Sequence, residues 1–217
     1  MDDHTGPGSE PVLPPLPGRI KPVLLAAGAS RRLGQPKQLV QWGGKALVAR
    51  AVDAVLATSP HLAPVTVVTT SALRPAIARA LAGQPTLLLD NPFAEREGMA
   101  SSLRLAVAAA RSAQADALMI MLSDQPLIDA GALRRLLNAW IEAPGRAVAS
   151  AYGEVSGGVP AVFPPSMFAA LAGLRGDVGA RAVLRATSFT SVAMPEAALD
   201  IDRPEDLARL PATSARP

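Results

Sequence analysis

Apolar positions along the chain fall into two alternating rhythms. Short, nearly continuous apolar runs at Pro22–Ala26, Val65–Thr69, Thr86–Leu89 and Ala117–Leu122 read as buried strands, the second of them β-branched throughout. Between them apolar residues recur at helical spacing, most clearly Leu47, Val48, Ala51, Val52 and Val55. Further helices are expected from about Leu73 to Leu81, over residues 99–112 behind Gly98 and the serines at 101 and 102, and from about Ala130 to Glu142. Strands near 146–151, 159–163 and 189–194, two short helices and a last turn from Pro204 to Leu210 complete the order. Apolar strands alternating with helices of ten or so residues predict an α/β chain whose parallel sheet is covered on both faces. Ligand sites in such sheets gather at the carboxyl ends of the strands. The polar residues after the first and fourth of these strands are therefore the informative ones.

Residues 1–18 hold five prolines and three glycines without an apolar period, and residues 211–217 are similar. Both are expected as flexible tails on one domain over residues 19–210. Composition narrows the chemistry. Of 217 residues, 49% are hydrophobic, so a packed core is expected, and none is cysteine, which excludes disulfides, thiolate metal sites and cysteine nucleophiles. The two histidines, His4 and His61, fall in a tail and a loop and read as solvated. A net charge of +3 with scattered arginines suits an anionic small molecule and gives no nucleic-acid patch. The acidic start and the absence of a long apolar run give neither a signal peptide nor a membrane span, so a cytoplasmic protein is expected.

The segment Ala26-Ala27-Gly28-Ala29-Ser30-Arg31-Arg32-Leu33-Gly34-Gln35-Pro36-Lys37 leaves the first strand with two glycines, a hydroxyl and three cations. Glycines let backbone N–H groups turn inward as an anion nest, while arginine and lysine meet phosphate oxygens. Five residues separate Gly28 from Gly34 and Gln35 follows, so this is neither a Walker loop nor a dinucleotide fingerprint. On residue types alone the segment is either a polyphosphate cradle or a basic surface loop. Asp124 ends the most apolar strand, where a carboxylate can hold Mg²⁺, and Asp129 is the better cap for the following helix. In Asp200-Ile201-Asp202-Arg203-Pro204, Asp202 is either a second ligand or the cap of the last helix, and Asp200 would share its strand face.

The first loop resembles, position for position, the Leu-Ala-Ala-Gly-x-Ser-x-Arg-x-Gly-x-x-Lys signature of nucleotidyltransferases that handle molybdenum cofactor. Leu25, Ala26, Ala27, Gly28, Ser30, Arg32, Gly34 and Lys37 match, and Arg31 falls on a variable position. Asp124-Gln125-Pro126 is similar to the family's metal-binding motif, and the segment at Asp202 to its Asp-x-x-Pro-Glu-Asp-Leu ending. Gly98-Met99-Ala100-Ser101-Ser102-Leu103-Arg104 resembles a segment of the cytidylyltransferase branch, and Gly176-Asp177-Val178-Gly179-Ala180-Arg181 a further family segment. In Gly157-Gly158-Val159-Pro160, Val159 replaces the family's usual histidine.

The resemblance implies a three-layer α/β/α, Rossmann-like domain of the MobA-like NTP transferase type with a mostly parallel sheet. It implies transfer of CMP from CTP to the phosphate of molybdopterin, with release of pyrophosphate. Arg32, Lys37 and Asp124 would be catalytic; the matched loop positions with Ser101 and Ser102 would bind nucleotide. Gly98, Arg104, Gly179 and Arg181 would meet the substrate, and Asp124 with Asp202 would hold Mg²⁺. A recipient molybdoenzyme or its accessory protein would be a partner. The alternatives are a guanylyltransferase on the same scaffold, a transferase for another phosphorylated acceptor, and a non-catalytic carrier of the cofactor. Ala27, where the guanylyl branch usually has glycine, favours CTP.

Overall fold

The computed structural model describes Leu16 and residues 18–212. Most of the two expected tails, His4 included, lies outside those residues. Strand β1 (Ile20–Leu25) leads through the signature loop into a two-strand hairpin, β2 (Gln41–Trp42) and β3 (Lys45–Ala46), and helix α1 (Leu47–Thr58). Then follow β4 (Val65–Thr69), α2 (Arg74–Ala80), β5 (Thr86–Asp90), α3 (Ala94–Ser112), β6 (Ala117–Leu122) and α4 (Ala130–Glu142). The second half contributes β7 (Ala147–Tyr152), β8 (Val155–Phe163), α5 (Phe168–Gly173), α6 (Arg181–Arg185), β9 (Phe189–Ala193) and α7 (Pro204–Leu207). The hairpin of two-residue strands is too short to leave an apolar rhythm, and the sequence pattern does not announce it.

Seven strands form one sheet in the order β5-β4-β1-β6-β8-β7-β9. Pairing is parallel throughout except at β8, which runs antiparallel to both β6 and β7. β8 also begins at Val155, four residues before the expected start at 159, because Tyr152 and Val155 pair across a tight turn. Gly153, at φ 53°, supplies the left-handed residue such a turn requires. The chain moves outward from β1 through β4 to β5, then returns to the other side of β1 with β6. The carboxyl ends of β1 and β6 thus flank a topological switch point, the place where open α/β sheets bind ligands.

One buried cluster joins the sheet to α1 and α4, and another joins its opposite face to α3, α5 and α6, so the domain has three layers. Helix α4 buries Leu133, Leu136, Leu137 and Trp140, the spacing of one helical face. Asp129 caps it by accepting the Ala132 N–H at 2.8 Å, a contact worth about 1 kcal/mol. Helix α3 is interrupted at Gly98 (φ 63°, ψ −159°), so an extra turn precedes the helix expected from 99. A third, small cluster of Leu33, Val40, Leu47, Leu199 and Ile201 sits beneath the signature loop. It ties that loop to the segment carrying Asp200 and Asp202. That segment is not a strand, so the expected shared strand face does not exist; buried Ile201 separates an exposed Asp200 from a half-buried Asp202.

Candidate active site

Parallel pairing of β1 with β6 sets Leu25 opposite Leu122, so the segments that follow leave the sheet side by side. Ser123 N–H donates to the Leu25 carbonyl at 3.3 Å, and Ile201 N–H donates to the Asp124 carbonyl at 2.9 Å. Backbone bonds thereby join three segments far apart in sequence. The loop is further braced from within. The Gln38 amide donates to the carbonyls of Ala26 and Gly28, both at 2.9 Å, and the Lys37 N–H donates to Ser30 Oγ at 3.0 Å. Ser30 adopts φ 51° and Gly34 φ 74°, the left-handed positions around which the loop folds back. Gln38 is fully buried; it lies just beyond the signature, and only its position next to Lys37 could have drawn attention to it.

Four charged side chains converge where the segments meet. Lys37 Nζ donates to Asp124 Oδ2 and, at 2.7 Å, to Asp202 Oδ1. Arg32 Nη2 lies 3.1 Å from the other oxygen of Asp202. Burial disfavours the ammonium of Lys37, but the charges and hydrogen bonds of Asp124 and Asp202 outweigh it and raise its pKa. The hydrogen bond from Lys37, with the charges of Lys37 and Arg32, holds Asp202 below the usual carboxylate range. Asp200 is exposed as a residue, yet desolvation of its carboxyl group and the charge of Asp124 push it up to about 6. Asp202 does not cap the last helix: Asp206 does, accepting the N–H groups of Asp202 and Arg203 at 3.0 and 2.8 Å.

A cleft of about 310 Å³ opens beside these charges, a size that suits a small ligand. Leu25, Ala27, Gly28, Lys37 and Asp124 line one wall; Gly98, Met99, Ser102 and Asp177 line the other. Arg31 lines it as well, although the signature leaves that position variable. The expected serines are also engaged within the protein. Ser101 and Ser102 are buried and both accept hydrogen bonds from Asn91, at 2.8 and 2.9 Å. Ser101 Oγ donates in turn to the Gly98 carbonyl at 2.7 Å, so these hydroxyls brace the start of the helix. Asn91 at the end of β5 carried no signal in the sequence.

Arg104 is not brought to the cleft. It pairs with Glu97 and reaches the Leu174 carbonyl, on a separate surface hollow. Gly179 packs against Met99, whose sulfur a Cβ at 179 would approach to 2.9 Å. Arg181 is exposed at the start of α6 and lies among the charges that act on Tyr152. Tyr152 is half-buried, its ring against Gly158, and desolvation and the charge of Asp200 raise its pKa.

Among the described residues no group of three or more His, Asp or Glu gathers for a metal. Mg²⁺ rarely needs one, since one or two carboxylates and substrate phosphates complete its shell. Asp124 Oδ1 is buried with no hydrogen-bond partner, an orphaned hard oxygen of the type such a cation takes. The donor set fits a divalent metal.

Among solved structures, Rv0371c from Mycobacterium tuberculosis H37Rv is 28% identical, with TM-score 0.72 over 90% of this chain and 100% of that one. Another structure of the same protein, a complex with manganese, is 26% identical with TM-score 0.65, covering 88% and 97%. Molybdopterin-guanine dinucleotide biosynthesis protein A from Archaeoglobus fulgidus shares the fold at 17% identity and TM-score 0.62, covering 87% and 95%. No curated protein sequence matches the chain. Among the described residues no helix is long and apolar enough to cross a membrane. The family model of the MobA-like NTP transferase domain matches residues 22–192, and with the signature loop, the switch-point cleft and the paired aspartates in place, the chain belongs to that nucleotidyltransferase family.

Proposed function

We propose that the protein transfers CMP from CTP to the terminal phosphate of molybdopterin, releasing pyrophosphate. The observation that carries this reading is the convergence of Lys37, Arg32, Asp124 and Asp202, with Lys37 and Asp124 lining the cleft. The triphosphate would lie along the signature loop, where free N–H groups and the cations Arg31, Arg32 and Lys37 meet its oxygens. Asp124 and Asp202 would hold Mg²⁺, consistent with the fit of the orphaned Asp124 oxygen and with the manganese complex of Rv0371c. Such a metal, when bound, supplies charge stabilisation to phosphoryl oxygens. An oxygen of the acceptor phosphate attacks the α-phosphorus, and the bond from that phosphorus to the β-phosphate oxygen breaks. Lys37 and Arg32 offset the negative charge that grows on the departing pyrophosphate. Chemistry of this kind rests on positioning and electrostatics and needs no protein nucleophile.

Ala27 lines the cleft and supports CTP over GTP: its methyl group narrows the wall at a position where glycine leaves room for a purine. The match to the MobA-like family supports molybdopterin as acceptor. Val159 favours a second reading, a different phosphorylated acceptor. Its carbonyl accepts from Gln125 at 3.1 Å, but its side chain offers no polar group where the family usually places histidine. A recipient molybdoenzyme for the product and a cytoplasmic location belong to the molybdopterin reading. The test is pyrophosphate release from CTP and GTP with molybdopterin and with sugar and alcohol phosphates. The expected result is the highest kcat/KM for CTP with molybdopterin. Preference for GTP overturns the cytidylyl assignment, a better acceptor overturns molybdopterin, and CTP binding without turnover leaves a carrier.

A further inference from the structure

The two signature cations do not wait in the cleft for phosphate; they are tied to the candidate metal ligands. Lys37 bridges Asp124 and Asp202, and Arg32 takes the remaining oxygen of Asp202. We propose that this is a cation exchange built into the site: a divalent metal enters by displacing the Lys37 ammonium from the two carboxylates, and the displaced cations become the triphosphate's contacts. The inference rests on the nucleotidyltransferase reading for the destination of Lys37, but the exchange itself concerns the carboxylates and the metal alone.

Three observations carry it. First, the position is single. Asp124 Oδ2 and Asp202 Oδ1 are both bonded to one nitrogen, so a metal bridging the same oxygens and Lys37 Nζ exclude one another. Second, Lys37 is fixed at its backbone and held at its tip only by those carboxylates. Its N–H is anchored on Ser30 Oγ, while its Cε passes over Gly28, 3.6 Å from where a Cβ would stand. Rotation of the side chain therefore carries the ammonium along the loop without disturbing the loop's own bonds. Third, Asp124 Oδ1 is buried and unpartnered, so Lys37 leaves part of the carboxylate unsatisfied, and a cation that takes two or more oxygens can do better. The consequence is that metal binding without nucleotide is weakened by the lysine it must move. Nucleotide, by receiving Lys37 and Arg32, relieves that competition, and metal tightens nucleotide by the same factor.

Mn²⁺ titration of the nucleotide-free protein, read by electron paramagnetic resonance, tests this without turnover. Lys37→Met keeps the length of the side chain and removes the competitor, so Mn²⁺ affinity is expected to rise about tenfold or more over wild type. Arg31→Met removes the same charge from the same loop and cleft wall, but not from the carboxylates. It is expected to change Mn²⁺ affinity less than about threefold. Mn²⁺ binding by Lys37→Met that is absent, or no tighter than that of Arg31→Met, overturns the proposal. A second measurement uses the unaltered chain, which has only three lysines, Lys21, Lys37 and Lys45. With 15N-labelled lysine side chains, and Lys21→Arg and Lys45→Arg for assignment, the Lys37 Nζ signal is expected to move in step with Mg²⁺ occupancy. A signal unmoved at saturation overturns the exchange. Failure of every nucleotide to release pyrophosphate would instead remove the catalytic reading and leave these outcomes untouched.

Discussion

The two walls of the cleft are built on opposite plans. On the β1–β6 side, backbone bonds and buried Gln38 fix the main chain, and the charged side chains meet on top of it. Across from it, the turn before Gly98 and the loop at 174–180 are held together by glycines and backbone. A Cβ on Gly98 would come within 2.8 Å of the Gly176 carbonyl, whose oxygen also accepts the Ala100 N–H at 3.0 Å. The turn and loop also expose three large hydrophobic side chains, Phe93 at 45%, Met99 at 40% and Val178 at 44%. On the first wall Lys37 bridges two carboxylates, and on the second the close approach of Gly98 to Gly176 sets the shape. Substitutions on the first should remove chemistry and spare the fold, whereas those on the second should strain the fold and change chemistry only through it.

The largest break in that comparison is Asp124→Asn, which keeps shape and removes charge. A metal at phosphoryl oxygens contributes several kcal/mol, so kcat is expected to fall about a thousandfold or more. The melting temperature should stay within about 5 °C of wild type, because Asp202 still holds Lys37. Near-normal turnover with unchanged metal dependence would take Asp124 out of the site. Next come the cations. Arg32→Ala and Lys37→Ala should each lower kcat/KM for the triphosphate about a hundredfold, and Arg31→Ala about tenfold or less. Arg31 lines the cleft but makes no contact with the carboxylates, so equal losses for all three would mean a diffuse basic patch.

The same division decides what the sequence could show. For the charged wall, residue types mark a basic loop and a strand-end carboxylate, and the family resemblance singles out Arg32 and Lys37 within that loop; pairing of β1 with β6 then brings Lys37 to Asp124. For Asp202 the sequence does not separate ligand from cap, because the choice depends on Asp206, whose carboxylate takes both cap N–H groups. On the opposite wall a residue type suggests a ligand contact, and the structure adds an internal partner that the sequence does not announce. Ser101 and Ser102 look like hydroxyls at an open helix end, and Asn91, ten and eleven residues before them, engages both. The antiparallel β8 was hidden for a related reason. Strand direction leaves no apolar rhythm, and the local cue was Gly153 in a turn after Tyr152.

Gly98→Ala probes the backbone-built wall directly. The residue combines a left-handed φ of 63° with close approach to Gly176 and Asp177, so both strain and collision oppose a methyl group. A loss of about 1–3 kcal/mol of stability is expected, read as a lower denaturation midpoint. The kinetic loss should be smaller than for Arg32→Ala and should appear mainly in KM, since the charged wall is untouched. A thousandfold fall in kcat with unchanged stability would place Gly98 in the chemistry and erase the contrast between the walls.

The smallest effect is expected at Arg104, and it is the sharpest test of how the second wall should be read. The resemblance of the Gly98–Arg104 segment to the cytidylyltransferase branch implies a substrate contact, but the Arg104 guanidinium pairs with Glu97 and reaches the Leu174 carbonyl at 3.3 Å, joining α3 to the end of α5. Both partners keep solvent access, 31% for Arg104 and 38% for Glu97, so the pair is screened and worth about 1 kcal/mol or less. The expected outcome of Arg104→Ala is a slightly lower melting temperature with KM for nucleotide and acceptor each changed less than about twofold. Glu97→Ala should reproduce it, and the double variant should cost little more than either alone, because both remove the same pair. A large rise in acceptor KM with unchanged melting would move Arg104 into the substrate site, and the second wall would then bind by charge as the first does.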